Sequence, residues 1–155
     1  MTDFDIEPTT VADLVALQRV LKETDLFPSE ALPDLLAASL SSETSAFWLT
    51  CHQDGTAVGF CYAAPEEMAD AVWNMRALAV LPACQGKGLG TALVRACEAR
   101  LKQASQRLLL VDTSGTAAFA RTRSFYVQNG YVEAARIVGF WAAGDDKVTL
   151  RKDLL

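Results

Sequence analysis

The sequence has only one histidine, His52, and four cysteines, none of which forms a C-x-x-C pair. A zinc site built from closely spaced thiolates is therefore not predicted, and we expect no metal cofactor. The free thiols of Cys51, Cys61, Cys84 and Cys97 suit a reducing cytoplasm, where such residues usually act as small buried hydrophobic side chains. Because adjacent strand residues point to opposite faces, Cys51 and His52 are not expected to form a nucleophile pair.

Basic residues and long apolar segments are also scarce. Fourteen Lys and Arg residues against nineteen Asp and Glu residues give a net charge of −5, which repels nucleic acid and anionic lipid surfaces. The N-terminus, Met1–Glu7, is acidic where a signal peptide needs basic residues, and no apolar run approaches membrane-spanning length. We therefore expect a soluble cytoplasmic protein with no nucleic-acid or membrane partner.

What the sequence does contain is ordinary globular composition. The 155 residues are 51% hydrophobic and 21% charged, which is enough for one well-buried core. Because the sequence has no repeat, low-complexity tract or linker, it predicts a single domain over residues 1–155.

The N-terminal part predicts a strand, two helices and a hairpin. A strand covers Phe4–Glu7, and Thr10 with Asp13 resembles a capping box at the start of a helix. A second helix begins near Ser29–Pro33. Phe47 to His52 and Ala57 to Ala63 form strands joined by a turn at Asp54-Gly55. The expected apolar positions of the helices are Val11, Leu14, Val15, Leu17, Val20 and Leu21 in the first, and Leu32, Leu35, Leu36 and Leu40 in the second.

The C-terminal part predicts a crossover unit, one more helix and two strands. A strand over Trp73–Val80 is followed by a glycine-rich turn, a helix ending near Gln103 and a buried strand over Leu108–Val111. On that helix we expect Leu89, Leu93, Cys97 and Leu101 on the buried face, with Arg95, Glu98 and Lys102 away from it. A helix over Ala118–Gln128 and strands over Tyr131–Val138 and Lys147–Leu154 complete an α/β architecture with a mixed sheet.

The glycine-rich turn is the segment most suggestive of chemistry. Gly86, Gly88 and Gly90 lie between a strand and a helix, where backbone N–H groups can converge at the positive end of the helix dipole. Such a point binds a phosphate or pyrophosphate, although a tight turn without a ligand remains the alternative. The segment is neither a Walker loop nor a dinucleotide fingerprint, because Thr91 stands where the latter needs its third glycine.

The same segment satisfies Gln-x-x-Gly-x-Gly with Gln85, Gly88 and Gly90, the acyl-CoA pyrophosphate loop of the GCN5-related N-acetyltransferases (GNAT). The stretch Arg123–Tyr131, with its Phe-Tyr and Gly-Tyr pairs, resembles the second signature of that family. The resemblance extends over nearly the whole chain. It implies a single-domain α/β fold with a mixed, mostly antiparallel central sheet, a splayed parallel strand pair and flanking helices.

The resemblance also implies roles for particular residues. The N–H groups of Gln85, Gly86, Lys87, Gly88, Leu89, Gly90 and Thr91 would bind the CoA pyrophosphate, with the Lys87 ammonium nearby. The backbone of Leu78 and Val80 would pair with the pantetheine arm in a gap between the two parallel strands. Tyr126 matches the residue that commonly protonates the departing CoA sulfur, and a tyrosine of ordinary acidity is suited to protonate a thiolate.

The sequence departs from the family pattern at three positions. Phe119 and Thr122 replace an Asn and an Ala, so pantetheine contacts from that helix are not carried over. Asn74 stands where close relatives often have a carboxylate, and an amide cannot accept a proton from an ammonium. The acids expected near the cleft are Glu66, Glu67 and Asp112, with a water relay as the alternative. Thr113 and Ser114 are candidate substrate contacts or capping residues.

The resemblance implies an enzyme that uses acetyl-CoA as acyl donor and transfers the acetyl group directly to a primary amine of a small molecule or peptide. The alternative from another class is an acyl-CoA sensor or regulatory module with little activity, which Asn74 motivates. A nicotinamide oxidoreductase would require the fingerprint that the loop lacks. A homodimer stays open, because Tyr62, Trp73, Phe140 and Trp141 could line a pocket or form a dimer face.

Overall fold

The computed structural model describes residues 3–155, so Met1 and Thr2 of the acidic N-terminus lie outside the described residues. Every predicted helix and strand is present, with ends that move by a few residues. The strands are β1 Phe4–Pro8, β2 Phe47–Gln53, β3 Thr56–Pro65, β4 Val72–Val80, β5 Leu108–Ser114, β6 Val132–Ala142 and β7 Asp145–Asp153. The helices are α1 Leu14–Thr24, α2 Leu32–Leu40, α3 Leu89–Gln103 and α4 Ala120–Gln128.

The strands follow the order β1-β2-β3-β4-β5-β7-β6 in a seven-stranded mixed sheet. β4 and β5 are parallel, with Val72–Asn74 opposite Leu108–Leu110. The pairs β1–β2, β2–β3, β5–β7 and β6–β7 are antiparallel. The expected α/β fold class with a mixed, mostly antiparallel sheet and one parallel pair is thus confirmed. The splaying of that pair remains a prediction.

The chain forms two compact units, Met1–Pro65 with Arg76–Arg100 and Glu66–Met75 with Leu101–Leu155, and β4 contributes residues to both. In the first unit, Phe47–Cys51 of β2 are all buried. Trp48 stacks on Tyr62 at 4.3 Å between ring centroids, and the Thr50 hydroxyl lies 2.6 Å from that of Thr9. A central strand between β1 and β3 has both faces covered.

Helix α1 begins as predicted but buries a narrower face. The Asp13 carboxylate accepts a hydrogen bond from the Thr10 N–H at 3.0 Å, which is one half of the expected capping box. A 3-10 turn over Val11–Asp13 then precedes the α-helix. The expected burial of Val11 and Val15 is wrong, since they are 70% and 78% exposed. Val15 lies roughly 160° around the helix from buried Leu17, at 100° per residue.

Helix α2 starts with a 3-10 turn over Ser29–Ala31 and carries Pro33 in its first turn, as predicted. Leu32 and Leu36 are buried, whereas Leu35 and Leu40, expected in the core, are 39% and 45% exposed. Leu40 is the last residue of the helix, where fewer neighbours cover a side chain.

Helix α3 has the predicted apolar face, with Leu89, Leu93, Cys97 and Leu101 buried. The expected exposure of Glu98 is wrong, because this residue is only 2% exposed. Val94 is also fully buried, so the apolar face is wider than predicted and Glu98 falls inside it at the i+4 position. The Arg95 guanidinium lies 3.7 Å from the Glu98 carboxylate and compensates part of its charge.

In the second unit, β5 pairs with β7 along its whole length and β6 lies at the edge of the sheet. All eleven residues of β6 are exposed, which an edge position permits. The strand is longer than predicted because it continues beyond Val138 through an irregularity in its pairing with β7, between Ile137 and Ala142. The Asp146 carboxylate stabilises this irregularity by accepting the Gly139 N–H at 3.0 Å.

Within residues 3–155, none of the helices has the length and apolarity needed to cross a membrane.

Candidate acyl-donor and amine sites

The glycine-rich segment connects the end of β4 to the start of α3, all within the first unit. A 3-10 turn over Pro82–Cys84 follows β4, and residues 85–88 form an exposed turn before Leu89 begins the helix. The Ala92 N–H donates to the Gly88 carbonyl at 3.0 Å. Since the first N–H groups of a helix have no intrahelical acceptor, those of Leu89, Gly90 and Thr91 are available to an anion.

Gly86 and Gly88 are required by backbone conformation and not by crowding. Their φ angles are +76° and +89°, in the region that residues with a side chain rarely adopt. A Cβ atom built on either residue would meet nothing within 4 Å. The segment therefore presents open backbone at the helix start, which fits the close approach of a pyrophosphate.

The Gln85 side chain holds the turn against the strand. Its Nε2 donates to the Val80 carbonyl at 2.9 Å, which ties the first residue of the motif to the last residue of β4. This bond uses one lone pair of that carbonyl. Leu78 is half-buried, and the Lys87 residue is exposed on the turn.

Gly59 of β3 allows the end of β4 and helix α3 to pack closely. A Cβ at this position would lie 2.9 Å from the Ala79 carbonyl oxygen, 3.1 Å from Val80 Cγ2 and 3.4 Å from Leu93 Cδ1. The neighbouring Val58 carbonyl accepts the Leu81 N–H at 2.8 Å, which fixes where β4 leads into the turn. This supporting residue was missed by the sequence analysis, because a lone glycine in a strand signals close approach without naming its neighbour.

Tyr126 lies on α4 in the second unit and is 5% exposed. Its ring makes edge contacts with Phe125 and Tyr131, at 5.1 and 5.6 Å between centroids, and its carbonyl accepts the Tyr131 N–H. The second signature thus orders α4 and the turn that follows, where Gly130 has a φ of +95°. Packing accounts for the aromatic ring, whereas the proposed acid role concerns its hydroxyl group.

Asn74 joins two of the expected acids within the second unit. It is 7% exposed, and its Nδ2 donates to Glu66 Oε1 at 3.3 Å and to Asp112 Oδ2 at 3.0 Å. Asp112 also accepts the Thr149 hydroxyl at 2.6 Å through its other oxygen. One amide thus brings together two carboxylates, each of which keeps further lone pairs for a proton or an ammonium group.

The remaining candidates divide between the surface and structural roles. Glu67 is exposed and has no place in the polar cluster of Asn74. The Ser114 hydroxyl donates to Asp145 at 2.6 Å and accepts the Thr116 N–H at 3.0 Å, as a capping residue does. The Thr113 carbonyl accepts the indole N–H of Trp141 at 3.3 Å.

The residues Cys51 and His52 do not form a nucleophile pair, as expected. Cys51 is fully buried, and burial, followed by the nearby Asp5 carboxylate and Cys84, raises the pKa of its thiol to about 11. His52 instead places Nε2 2.8 Å from the Asp13 carboxylate.

Comparisons with known proteins agree with this geometry. The family model of the acetyltransferase (GNAT) domain matches residues 43–133, more than half of the chain. No curated protein matches this chain. A protein from Desulfovibrio desulfuricans assigned to the GNAT family of acetyltransferases is 25% identical, with a TM-score of 0.90 over 99% of this chain and 100% of that one.

Two further solved structures share the fold at lower identity. The ribosomal-protein-S18-alanine N-acetyltransferase of Escherichia coli is 18% identical, with a TM-score of 0.80 over 98% of this chain and 94% of that one. An aminoglycoside 6'-N-acetyltransferase in complex with coenzyme A is 15% identical, with a TM-score of 0.82 over 97% of both chains. The glycine-rich turn lies inside the matched family region, and the chain belongs to the GNAT family of acetyltransferases.

Proposed function

We propose that this protein transfers an acetyl group from acetyl-CoA to a primary amine of a small molecule or peptide. The observation that carries the proposal is the strand–turn–helix segment, where Gly86 and Gly88 have positive φ angles and open space beside them. The structure of the aminoglycoside 6'-N-acetyltransferase in complex with coenzyme A supports a coenzyme A thioester as the donor.

The donor side of the reaction uses mainly backbone groups. The N–H groups from Gln85 to Thr91 bind the pyrophosphate, and the exposed Lys87 ammonium adds a positive charge. The backbone of Leu78 and Val80 pairs with the pantetheine arm as an added strand. Bound acetyl-CoA supplies the activated acyl carbon, and these contacts hold it in place for attack.

In the transfer step, the amine nitrogen forms a bond to the thioester carbon and the carbon–sulfur bond breaks. Tyr126 gives its hydroxyl proton to the departing sulfur, and the proton that the attacking nitrogen loses as the amide forms restores the tyrosine hydroxyl. A free amine is needed for attack, and an alkylammonium group has an ordinary pKa of about 10, so the substrate must first lose a proton. No covalent bond to the protein forms, because both substrates are bound together.

The polar cluster of Glu66, Asn74 and Asp112 is the proposed place for the substrate ammonium and its proton. Two carboxylates attract a cationic amine, and either can accept the proton directly or through water. Asn74 acts as a positioning residue, since both of its N–H bonds donate to the carboxylates. The amide at position 74 is therefore no argument for the sensor alternative, because two carboxylates that can accept a proton lie beside it.

The first experiment is acetyl-CoA turnover against a pooled library of amines, amino sugars, amino acids and short peptides, with mass spectrometry of the products. Tyr126→Phe should lower kcat by about 100-fold or more, as loss of general acid catalysis does, with nearly unchanged affinity for acetyl-CoA. Tyr62→Phe is the matched control, and unfolding curves verify that both variants are folded. Unchanged turnover in Tyr126→Phe would refute the acid role.

The acids are tested with a neighbouring pair of variants. Glu66→Gln and Asp112→Asn should raise KM for the amine or shift the rising limb of the kcat/KM pH profile, whereas exposed Glu67→Gln should do neither. Equal behaviour of Glu66→Gln and Glu67→Gln would contradict a role for the polar cluster. Saturable acetyl-CoA binding with no acetylated product from any amine would favour the sensor alternative.

A further inference from the structure

The only histidine of the chain, His52, lies among carboxylates in the first unit. Neither His52 nor these acidic residues have a part in the proposed acetyl transfer. Asp5, Glu7 and His52 each present one potential ligand atom, and these three atoms lie within 4.8 Å of one another. Asp13 is a third carboxylate in contact with the same imidazole ring. Two carboxylates and an imidazole at this separation are a donor set suited to a divalent metal ion.

Strand pairing brings these three residues together. Asp5 of β1 is the cross-strand partner of His52 of β2, so their side chains lie on the same face. Glu7 lies two residues after Asp5 and shares that face. The register of β2 against β3 shifts between Cys51 and His52, and such bulges commonly redirect a side chain near functional sites.

Asp13 orients the imidazole of His52, as the carboxylate that accepts the other ring N–H of a metal-binding histidine does. It is 7% exposed, and its Oδ1 lies 2.8 Å from His52 Nε2. With Nε2 carrying the proton for this bond, Nδ1 of the neutral ring keeps the lone pair that a metal ion needs. Asp13 is itself fixed, because its Oδ2 accepts the Thr10 N–H.

Space for an ion and its remaining ligands is present beside the histidine. A cavity of about 470 Å³ is lined by Glu7, Asp13 and His52 together with small residues of α1 and the β2–β3 turn. Three protein ligands leave one position of a tetrahedral ion open to water. With metal bonds of about 2.0 Å, the ligand atoms of a tetrahedral site lie about 3.3 Å apart. The ligand atoms of Asp5, Glu7 and His52 lie within 4.8 Å of one another, and the exposed side chains of Asp5 and Glu7 can rotate to shorten these distances.

We propose that Asp5, Glu7 and His52 form a binding site for a divalent transition-metal ion of the zinc class, with Asp13 as a positioning residue. The imidazole favours zinc, nickel or copper over magnesium and calcium, which prefer oxygen alone. The site shares no residue with the acetyl-donor loop and does not depend on the proposed enzymatic activity.

Because His52 is the only histidine, ¹⁵N-histidine labelling of the untagged protein yields signals from this ring alone. Zinc chloride is titrated into a Cys84→Ser background, since Cys84 is the one partly exposed thiol among the four cysteines. We expect saturable movement of the Nδ1 resonance while Nε2 stays protonated. Asp13→Asn should weaken zinc binding about 10-fold to 100-fold, as removal of an outer-layer partner typically does.

Asp5→Asn and Glu7→Gln should each weaken binding at least as strongly, whereas the exposed Glu43→Gln changes the net charge equally and should leave it unchanged. Unfolding curves in metal-free buffer show whether each variant is folded. The proposal is overturned if saturating zinc leaves both His52 nitrogen signals in place. It is also overturned if the two carboxylate variants bind zinc as the parent does, or if magnesium moves the signals as readily as zinc.

Discussion

Replacing Gly59 with alanine tests whether close packing behind the cofactor turn is needed for both stability and binding. The added Cβ would lie 2.9 Å from the Ala79 carbonyl oxygen, a backbone atom that cannot rotate away. It would also approach Val80 and Leu93 at 3.1 and 3.4 Å. The strand and the helix must therefore separate slightly. The hydrogen bond from the Leu81 N–H to the Val58 carbonyl involves the residue next to Gly59 and is therefore expected to be disturbed.

The expected magnitude follows from two opposing effects. Overpacking a well-filled interior costs about 1–3 kcal/mol, and restriction of the unfolded chain by alanine returns about 0.4–1 kcal/mol. We expect a net loss of about 1–2 kcal/mol in the free energy of unfolding, or roughly 2–8 °C in Tm for a chain of this size. If the displaced strand shifts the glycine-rich turn and about 1 kcal/mol of binding free energy is lost, the affinity for CoA falls about fivefold.

The assay is urea unfolding together with calorimetric titration of CoA into the folded variant. Gly55→Ala is the control, because Gly55 has a φ of +78° and open space around it, outside the cofactor turn. This control should lose stability through backbone strain and keep its CoA affinity. A Gly59→Ala protein as stable as the parent, with unchanged CoA affinity, would refute the reasoning.

Three further predictions concern single groups. Gly88→Ala should lose about 1–2 kcal/mol through its left-handed backbone conformation and weaken CoA binding, both measurable in the same two assays. At pH 8, maleimide should label half-buried Cys84 before Cys51, whose pKa of about 11 keeps its thiol protonated; peptide mapping that finds Cys51 labelled first would contradict this. The Gly139 N–H and then the Arg136 guanidinium lower the pKa of Asp146 from its usual value. Its stabilising contribution is present above about pH 4 and lost as the pH falls through the lowered value, so parent and Asp146→Asn should converge in stability in acid.

Local sequence patterns predicted the elements well because turns and caps are determined by neighbouring residues. The Asp54-Gly55 turn has positive φ at both positions, +52° and +78°, as a two-residue hairpin of this kind requires. The end of α3 at Gln103 and the extended start of the Leu108 strand were likewise found from short segments.

Burial was predicted less well, because it depends on what packs against each face. Glu98 has the polarity of a surface residue, yet it lies among buried Val94 and Leu101 on a helix covered over a wider arc than its leucines indicate. Val15 has the polarity of a core residue and lies on the open side of α1. Polarity alone does not determine how much of a helix is covered.

The candidate sites show the same division. The glycine turn is one continuous segment and could be found from its spacing, whereas the polar clusters of Asn74 and of His52 combine residues far apart in sequence. Asp5 and His52 meet only because β1 and β2 pair in one register, and a shift of one residue would place them on opposite faces. One histidine and scattered acids therefore provide no local signal of a metal site.

Asn74 illustrates how a departure from a family pattern can be offset by its surroundings. An aspartate here would face Glu66 and Asp112 with a third negative charge, and it would lack the two N–H groups that now join those acids. The amide therefore allows two carboxylates to remain close together without a charge between them. Glu66 and Asp112 thus place two carboxylates beside position 74, and Asn74 donates the hydrogen bonds that join them.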